Sequence, residues 1–191
     1  ADYLRQALAT LNYPTLNANI TRDGKPTFGA PYQIFERDGV KIAVLGLTTS
    51  YIPHWEAPKN IAGLQFQDVI ATAKYYVPRL RQQADVVIVA YHGGFERDLR
   101  TGQPTERLTG ENVGYALTQI PGIDALITGH QHRQLAATVN GVPTTQPGYR
   151  GEAVGKITLT LTPTATGYQV TDGKAVLVKA GASAASEAIV N

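Results

Sequence analysis

Asp85-Val-Val-Ile-Val-Ala-Tyr-His-Gly-Gly94 is the stretch that decides the fold. From Val86 to Tyr91 it is apolar without alternation, rich in β-branched side chains and too short for a buried helix, so it reads as a strand covered on both faces. Two other runs share that pattern, Lys41-Ile-Ala-Val-Leu-Gly-Leu47 upstream and Asp124-Ala-Leu-Ile-Thr128 downstream. Val69, Ala73, Tyr76, Val77 and Leu80 keep helical spacing between the first two strands. Glu111 to Ile120 reads as a short helix before the third, closed by Pro121-Gly122. The order is βαβαβ, whose crossovers make neighbouring strands parallel and right-handed. All three strands then end on one edge, the edge where open α/β sheets bind ligands.

Working outward, Leu4, Leu8 and Leu11 predict a helix from Asp2 to about Asn12, ended by Pro14, with a short strand over Thr15–Asn19. Asp23-Gly24-Lys25-Pro26 is a turn, Tyr32 to Glu36 is extended, and Asp38-Gly39 signals a hairpin into the first buried strand. Thr48 to Gly63 carries Pro53, Pro58, His54 and Trp55 without periodicity, which marks a long loop of the kind that is usually functional. From Gln134 the pattern changes to alternating strands of antiparallel character. These are Leu135–Val139, a turn at Asn140-Gly141, Val142–Gln146, Ala153–Thr162 and Tyr168–Lys179, the last two joined near Ala165-Thr166-Gly167. Residues 1–180 therefore read as one folded unit. The small and polar run 181–191 reads as a linker or tail.

The chain has 191 residues, 43% hydrophobic and 17% charged, enough to bury a core of its own. Its 17 basic and 15 acidic residues leave a net charge of +2, scattered rather than clustered, which excludes a dedicated nucleic-acid binder. No apolar stretch reaches the roughly 18 residues of a membrane span. With no cysteine there are no disulfides, thiolate chemistry or Cys-ligated metals. With no methionine, and with Ala1 opening directly into a helical pattern, the chain is expected to be a piece of something longer.

All four histidines fall on the carboxyl edge of the expected sheet. Strand spacing of about 4.8 Å lets His92 and His130, from neighbouring strand ends, converge on one ion at the 2.0–2.1 Å typical of imidazole ligands. His132 lies two positions further on and points to a second ion nearby. Gly93, Gly94 and Gly129 are expected to let the backbone approach the metals or a phosphate. His54 reads as a hydrogen-bonded loop residue rather than a ligand. Trp55 either stacks a base or fills a gap in the core.

These residues resemble the calcineurin-like metallophosphoesterases, in the branch of 5'-nucleotidases and 2',3'-cyclic-nucleotide 2'-phosphodiesterases. The resemblance rests on Ala84-Asp-Val-Val-Ile-Val-Ala-Tyr-His-Gly-Gly94, similar to that family's His-Gly segment, and on Gly122-Ile-Asp-Ala-Leu-Ile-Thr-Gly-His-Gln-His132, similar to its Gly-His-x-His segment. Leu16-Asn-Ala-Asn19 and Asn140-Gly-Val-Pro-Thr-Thr-Gln-Pro-Gly148 support it. The loop Tyr51-Ile-Pro-His-Trp-Glu56, Val77-Pro-Arg-Leu-Arg81 and Glu111-Asn-Val-Gly-Tyr115 look more like the cyclic-nucleotide phosphodiesterases than the 5'-nucleotidases.

The resemblance implies part of a metallophosphatase sandwich that uses two divalent ions (Zn, Mn, Fe, Co or Mg). His92 and His130 would be ligands of one ion and His132 of the other. It implies a nucleotide substrate, with 2',3'-cyclic nucleotides or 3'-nucleotides favoured, and a place in the cell envelope or outside the cell. The family's Asp-x-His, Gly-Asp and Gly-Asn-His motifs do not occur in this sequence. The chain is therefore expected to be the C-terminal portion of a catalytic domain, inactive alone, without the N-terminal half or the C-terminal nucleotide-binding domain of its parent. Two readings compete with it: a 5'-nucleotidase fragment, and a non-catalytic metal-binding or structural fragment with a three-His site.

Overall fold

The computed structural model describes residues 2–181, so 182–191 of the expected tail lie outside the described residues. In chain order the elements are α1 (Asp2–Ala9), β1 (Ile20–Arg22), β2 (Lys25–Pro26), β3 (Tyr32–Arg37), β4 (Val40–Thr48), β5 (Gln65–Phe66), α2 (Val69–Arg81), β6 (Val86–His92), α3 (Gly114–Leu117), β7 (Ala125–Ile127), β8 (Gln134–Val139), β9 (Val142–Pro147), β10 (Ala153–Thr164) and β11 (Gly167–Lys179). The expected loop after β4 contains two short 3-10 turns, Ile52–His54 and Pro58–Asn60.

The main sheet has six strands in the order β3-β4-β6-β7-β9-β8. Neighbours β4, β6 and β7 are parallel, as the βαβαβ order requires. Strand β9 also lies parallel to β7, whereas the sequence pattern pointed only to antiparallel pairing from Gln134 onward. The reason is topological: β8 takes the sheet edge, and the Asn140-Gly141 turn brings β9 back inside it against β7.

One face of this sheet is well covered. Val69, Ala73, Val77 and Leu80 form the apolar stripe of α2, and they pack with Ala43, Leu45, Leu47, Val87, Val89 and Tyr91, alternate residues of β4 and β6. Asp68 caps α2 by accepting the Ala71 N–H at 2.6 Å. The opposite face is covered only in part. Hairpin β10–β11 turns Gly155, Ile157 and Leu159 toward Ile88, Ala125, Ile127 and Thr145 across an apolar crevice. Ile127 in this crevice stays 44% exposed.

The helix expected over Glu111–Ile120 is only Gly114–Leu117. Glu111 and Asn112 are held outside it by contacts to the strand ends, and α3 begins where the buried Glu96 carboxylate accepts the Tyr115 and Ala116 N–H groups at 3.0 Å each.

Candidate metal centre

The parallel register places the site. Thr48 at the end of β4 pairs with His92 at the end of β6, and the Thr49 N–H donates to the His92 carbonyl at 2.9 Å. Two residues beyond β7, the Gly129 N–H donates to the Gly93 carbonyl at 3.1 Å, which ties the second histidine loop to the first. The imidazoles of His92 and His130 consequently meet edge to face, with ring centroids 5.5 Å apart. Partial desolvation, followed by the repulsion of His130 and His132, holds the His92 imidazole below its ordinary pKa. A neutral imidazole at neutral pH is the form that ligates a metal.

His130 and His132 have backbone φ of 69° and 57°, in the left-handed region that costs a non-glycine residue on the order of 1 kcal/mol. The two side chains diverge. His130 turns inward to His92, whereas His132 stacks on Tyr149 with centroids 5.0 Å apart and planes at 9°. The structure thus brings two of the three expected ligands together and sets the third aside. Among the described residues no group of three or more His, Asp or Glu side chains is arranged to hold a metal. As a donor set, two imidazoles are of the kind that ligates a divalent ion, and two alone would fill only part of its coordination.

The glycines serve packing. A Cβ on Gly93 would lie 2.0 Å from the Tyr91 ring, and one on Gly94 would lie 2.1 Å from Gln131 Oε1. Gln131 is itself fixed, accepting the Phe95 N–H at 2.9 Å and donating to the Phe95 carbonyl at 3.0 Å. Gly129 would meet His92 only at an ordinary 3.7 Å, so space does not demand a glycine there.

His54 stacks on Tyr51 at 3.7 Å and bonds the Tyr51 carbonyl through Nδ1 at 3.1 Å, and neither contact reaches the other histidines. Trp55 is 51% exposed, which removes the gap-filling reading, and it stacks on His130 at 5.2 Å with Tyr51 edge-on behind it. The residue that the pattern hid is Glu111. Expected to open a helix, it instead places Oε1 2.9 Å from His130 Nε2. The available signal was an acid directly after Thr109-Gly110, where no apolar period had yet begun.

No family model matches the chain. The 2',3'-cyclic-nucleotide 2'-phosphodiesterase/3'-nucleotidase of Salmonella typhimurium is 32% identical over 91% of this chain, which spans 30% of that protein's length. Among solved structures, a Staphylococcus aureus protein assigned as a 5'-nucleotidase superposes with a TM-score of 0.85 at 38% identity, over 98% of this chain and 37% of the other. The calcineurin-like phosphoesterase YfkN of Bacillus subtilis follows at 0.80 and 27%, over 94% and 59%.

The chain is homologous to part of the calcineurin-like nucleotide phosphoesterases.

Members of this family are phosphodiesterases and nucleotidases by name, hence hydrolases, and the calcineurin-like neighbours imply divalent metal. The fold matches at the level expected: a parallel sheet continued by antiparallel strands.

Proposed function

We propose that this chain supplies one side of a two-metal phosphoesterase site, with His92 and His130 as ligands of one divalent ion and His132 as a ligand of the other. The observation that carries it is the His92–His130 pair, 5.5 Å apart at adjoining strand ends. When bound, the ions supply charge neutralisation at phosphorus and an activated water. The chain's own part is to hold two imidazoles at a fixed separation and to wall the site with the 48–63 loop, where Trp55 covers a face of His130.

The substrate in this reading is a nucleotide phosphoester. The loop Tyr51–Glu56 and the Glu111–Tyr115 segment favour 2',3'-cyclic or 3'-nucleotides, and the Salmonella relative agrees. The Staphylococcus neighbour favours a 5'-nucleotidase, which stands as the second reading. The remaining ligands would come from a preceding half of the catalytic domain, for which the partly covered sheet face beside Ile127 leaves room, and a C-terminal nucleotide-binding domain would complete the parent. Its place would be the cell envelope or outside the cell. No helix among the described residues is long and apolar enough to cross a membrane.

The test is turnover of bis-para-nitrophenyl phosphate, 2',3'-cyclic AMP, 3'-AMP and 5'-AMP by the 191-residue chain and by the same chain joined to an upstream half bearing the missing motifs. The chain alone should be inactive, because charge stabilisers absent from a phosphoryl-transfer site cost orders of magnitude in rate. The joined protein should hydrolyse at least one substrate with added divalent metal, and alanine at His92 or His130 should abolish that. Full activity with His130→Ala would end the assignment.

A further inference from the structure

A metal-ligating imidazole can present only one ring nitrogen, and the partner of the other nitrogen decides which. His130 Nε2 has such a partner, the Glu111 carboxylate, at 2.9 Å. An ionised carboxylate only accepts, so the contact requires the Nε2–H form and leaves Nδ1 as the free lone pair. Ordinarily a surface carboxylate on a loop would be a weak constraint, because its side chain has many rotamers and water competes for it. Glu111 is different in how its backbone is held.

Its carbonyl accepts two hydroxyls, Thr49 Oγ1 at 2.7 Å and Tyr91 Oη at 3.1 Å, from residues at the ends of β4 and β6. The next residue is locked as well: buried Asn112 accepts the Gly94 N–H through Oδ1 at 2.7 Å and donates to Glu106 Oε1 at 2.9 Å. Residues Glu111 and Asn112 thus clamp the β4 end, the β6 end and the His92-Gly93-Gly94 loop together, and from that clamp the carboxylate reaches the histidine that follows β7. The same contact steadies a residue whose φ of 69° is unfavourable on its own.

We infer that Glu111 is a positioning residue for His130: it fixes the imidazole as the Nε2–H tautomer, so that Nδ1 is the nitrogen offered to a metal. The metal part of this inference rests on the phosphoesterase reading, and the tautomer part does not.

Nitrogen-15 imidazole spectra of the metal-free 191-residue chain in mildly alkaline buffer read the tautomer directly. In the wild type His130 should be almost entirely Nε2–H. In Glu111→Gln, which keeps the shape but can either accept or donate, that bias should fall markedly while the His92 pattern stays as it was. Zinc titration of the two proteins should show a roughly 10- to 100-fold weaker affinity in the variant, the usual effect of losing a carboxylate behind a histidine ligand. A wild-type His130 found mainly as Nδ1–H overturns the inference without any variant needing to fold. So does an unchanged tautomer in a folded Glu111→Gln chain. A wild type that binds no zinc but shows the Nε2–H form overturns the metal part of the inference for this chain and leaves the positioning role of Glu111 standing.

Discussion

The two edges of the parallel sheet both carry titratable side chains and treat them differently. At the amino edge, each carboxylate is occupied with backbone. Asp85 accepts the Lys41 and Tyr168 N–H groups at 2.8 Å each, which pins hairpin β10–β11 to the sheet. Asp124 accepts the Val87 N–H at 2.7 Å and the Arg81 guanidinium, and Arg81 also donates to the Asp85 carbonyl at 2.8 Å. At the carboxyl edge the groups are left with capacity to spare. The His92 ring makes no hydrogen bond to any described residue, His130 keeps one ring nitrogen free, and two histidines sit at positive φ. Polar groups that are fully paired hold register, and groups that are strained and underused are available for chemistry.

The largest effect should come from the edge that does no chemistry. Asp124→Ala removes the partner of a partly buried arginine and orphans the Val87 N–H, which should cost about 2–3 kcal/mol in urea unfolding. Zinc uptake by the folded fraction should not change. A loss well below that range would mean that the amino edge is not the stabilising one.

His130→Gly tests the opposite edge with a smaller effect on stability. Relief at φ 69° offsets the lost Glu111 contact and the added freedom of the unfolded chain, so the net change should lie within about 1 kcal/mol. Zinc uptake should nevertheless collapse. If the variant unfolds as readily as Asp124→Ala, the strain assigned to this edge is not there.

The edges should also separate by pH. The folded-state pKa of His92 is lowered, so its contribution to stability is complete above the unfolded imidazole value of 6.5 and is lost as pH falls through the folded value. Asp85 is lowered too, by its Lys41 and Tyr168 hydrogen bonds, and its contribution is complete above 3.8 and lost on further acidification. Asp124 works in the other direction: desolvation raises it, so what it adds fades as pH rises through its folded value. Urea midpoints against pH should therefore flatten at weakly acidic pH in His92→Asn and only at strongly acidic pH in Asp85→Asn. One shared window for both variants would merge the two edges.

Much of this contrast was legible in the chain itself. The runs 41–47, 85–91 and 124–128 are continuous and β-branched, so strand identity, parallel pairing and the shared edge of His92 and His130 follow from local pattern and crossover chirality. What the pattern could not carry were contacts set by tertiary geometry. Glu111 looks like a helix start because acids favour first turns, yet hydroxyls from Thr49 and Tyr91, 62 and 20 residues away in sequence, hold it off the helix. The parallel β7–β9 pairing was hidden because period-2 alternation does not encode direction. His132 reads as the ligand of a second ion from its spacing and from the family resemblance, and the structure adds that its ring stacks on Tyr149 while that of His130 turns to His92.

The smallest effect belongs to Trp55, and it gives the most direct view of the carboxyl edge. Its stacking on His130 is half exposed, so Trp55→Ala should cost no more than about 1 kcal/mol. It is the only tryptophan in the sequence, so its fluorescence reports on this edge without a label. An ion taken up by His92 and His130 would place positive charge beside the indole ring that stacks on His130. Zinc should therefore change the emission of the wild-type chain, should change it less in His130→Ala, and should change it as in wild type in Asp85→Asn, whose substitution lies at the far edge. Zinc bound by His92 and His130 with no change in emission would show that Trp55 does not stay on His130 in solution, and the loop would then be independent of the site it borders.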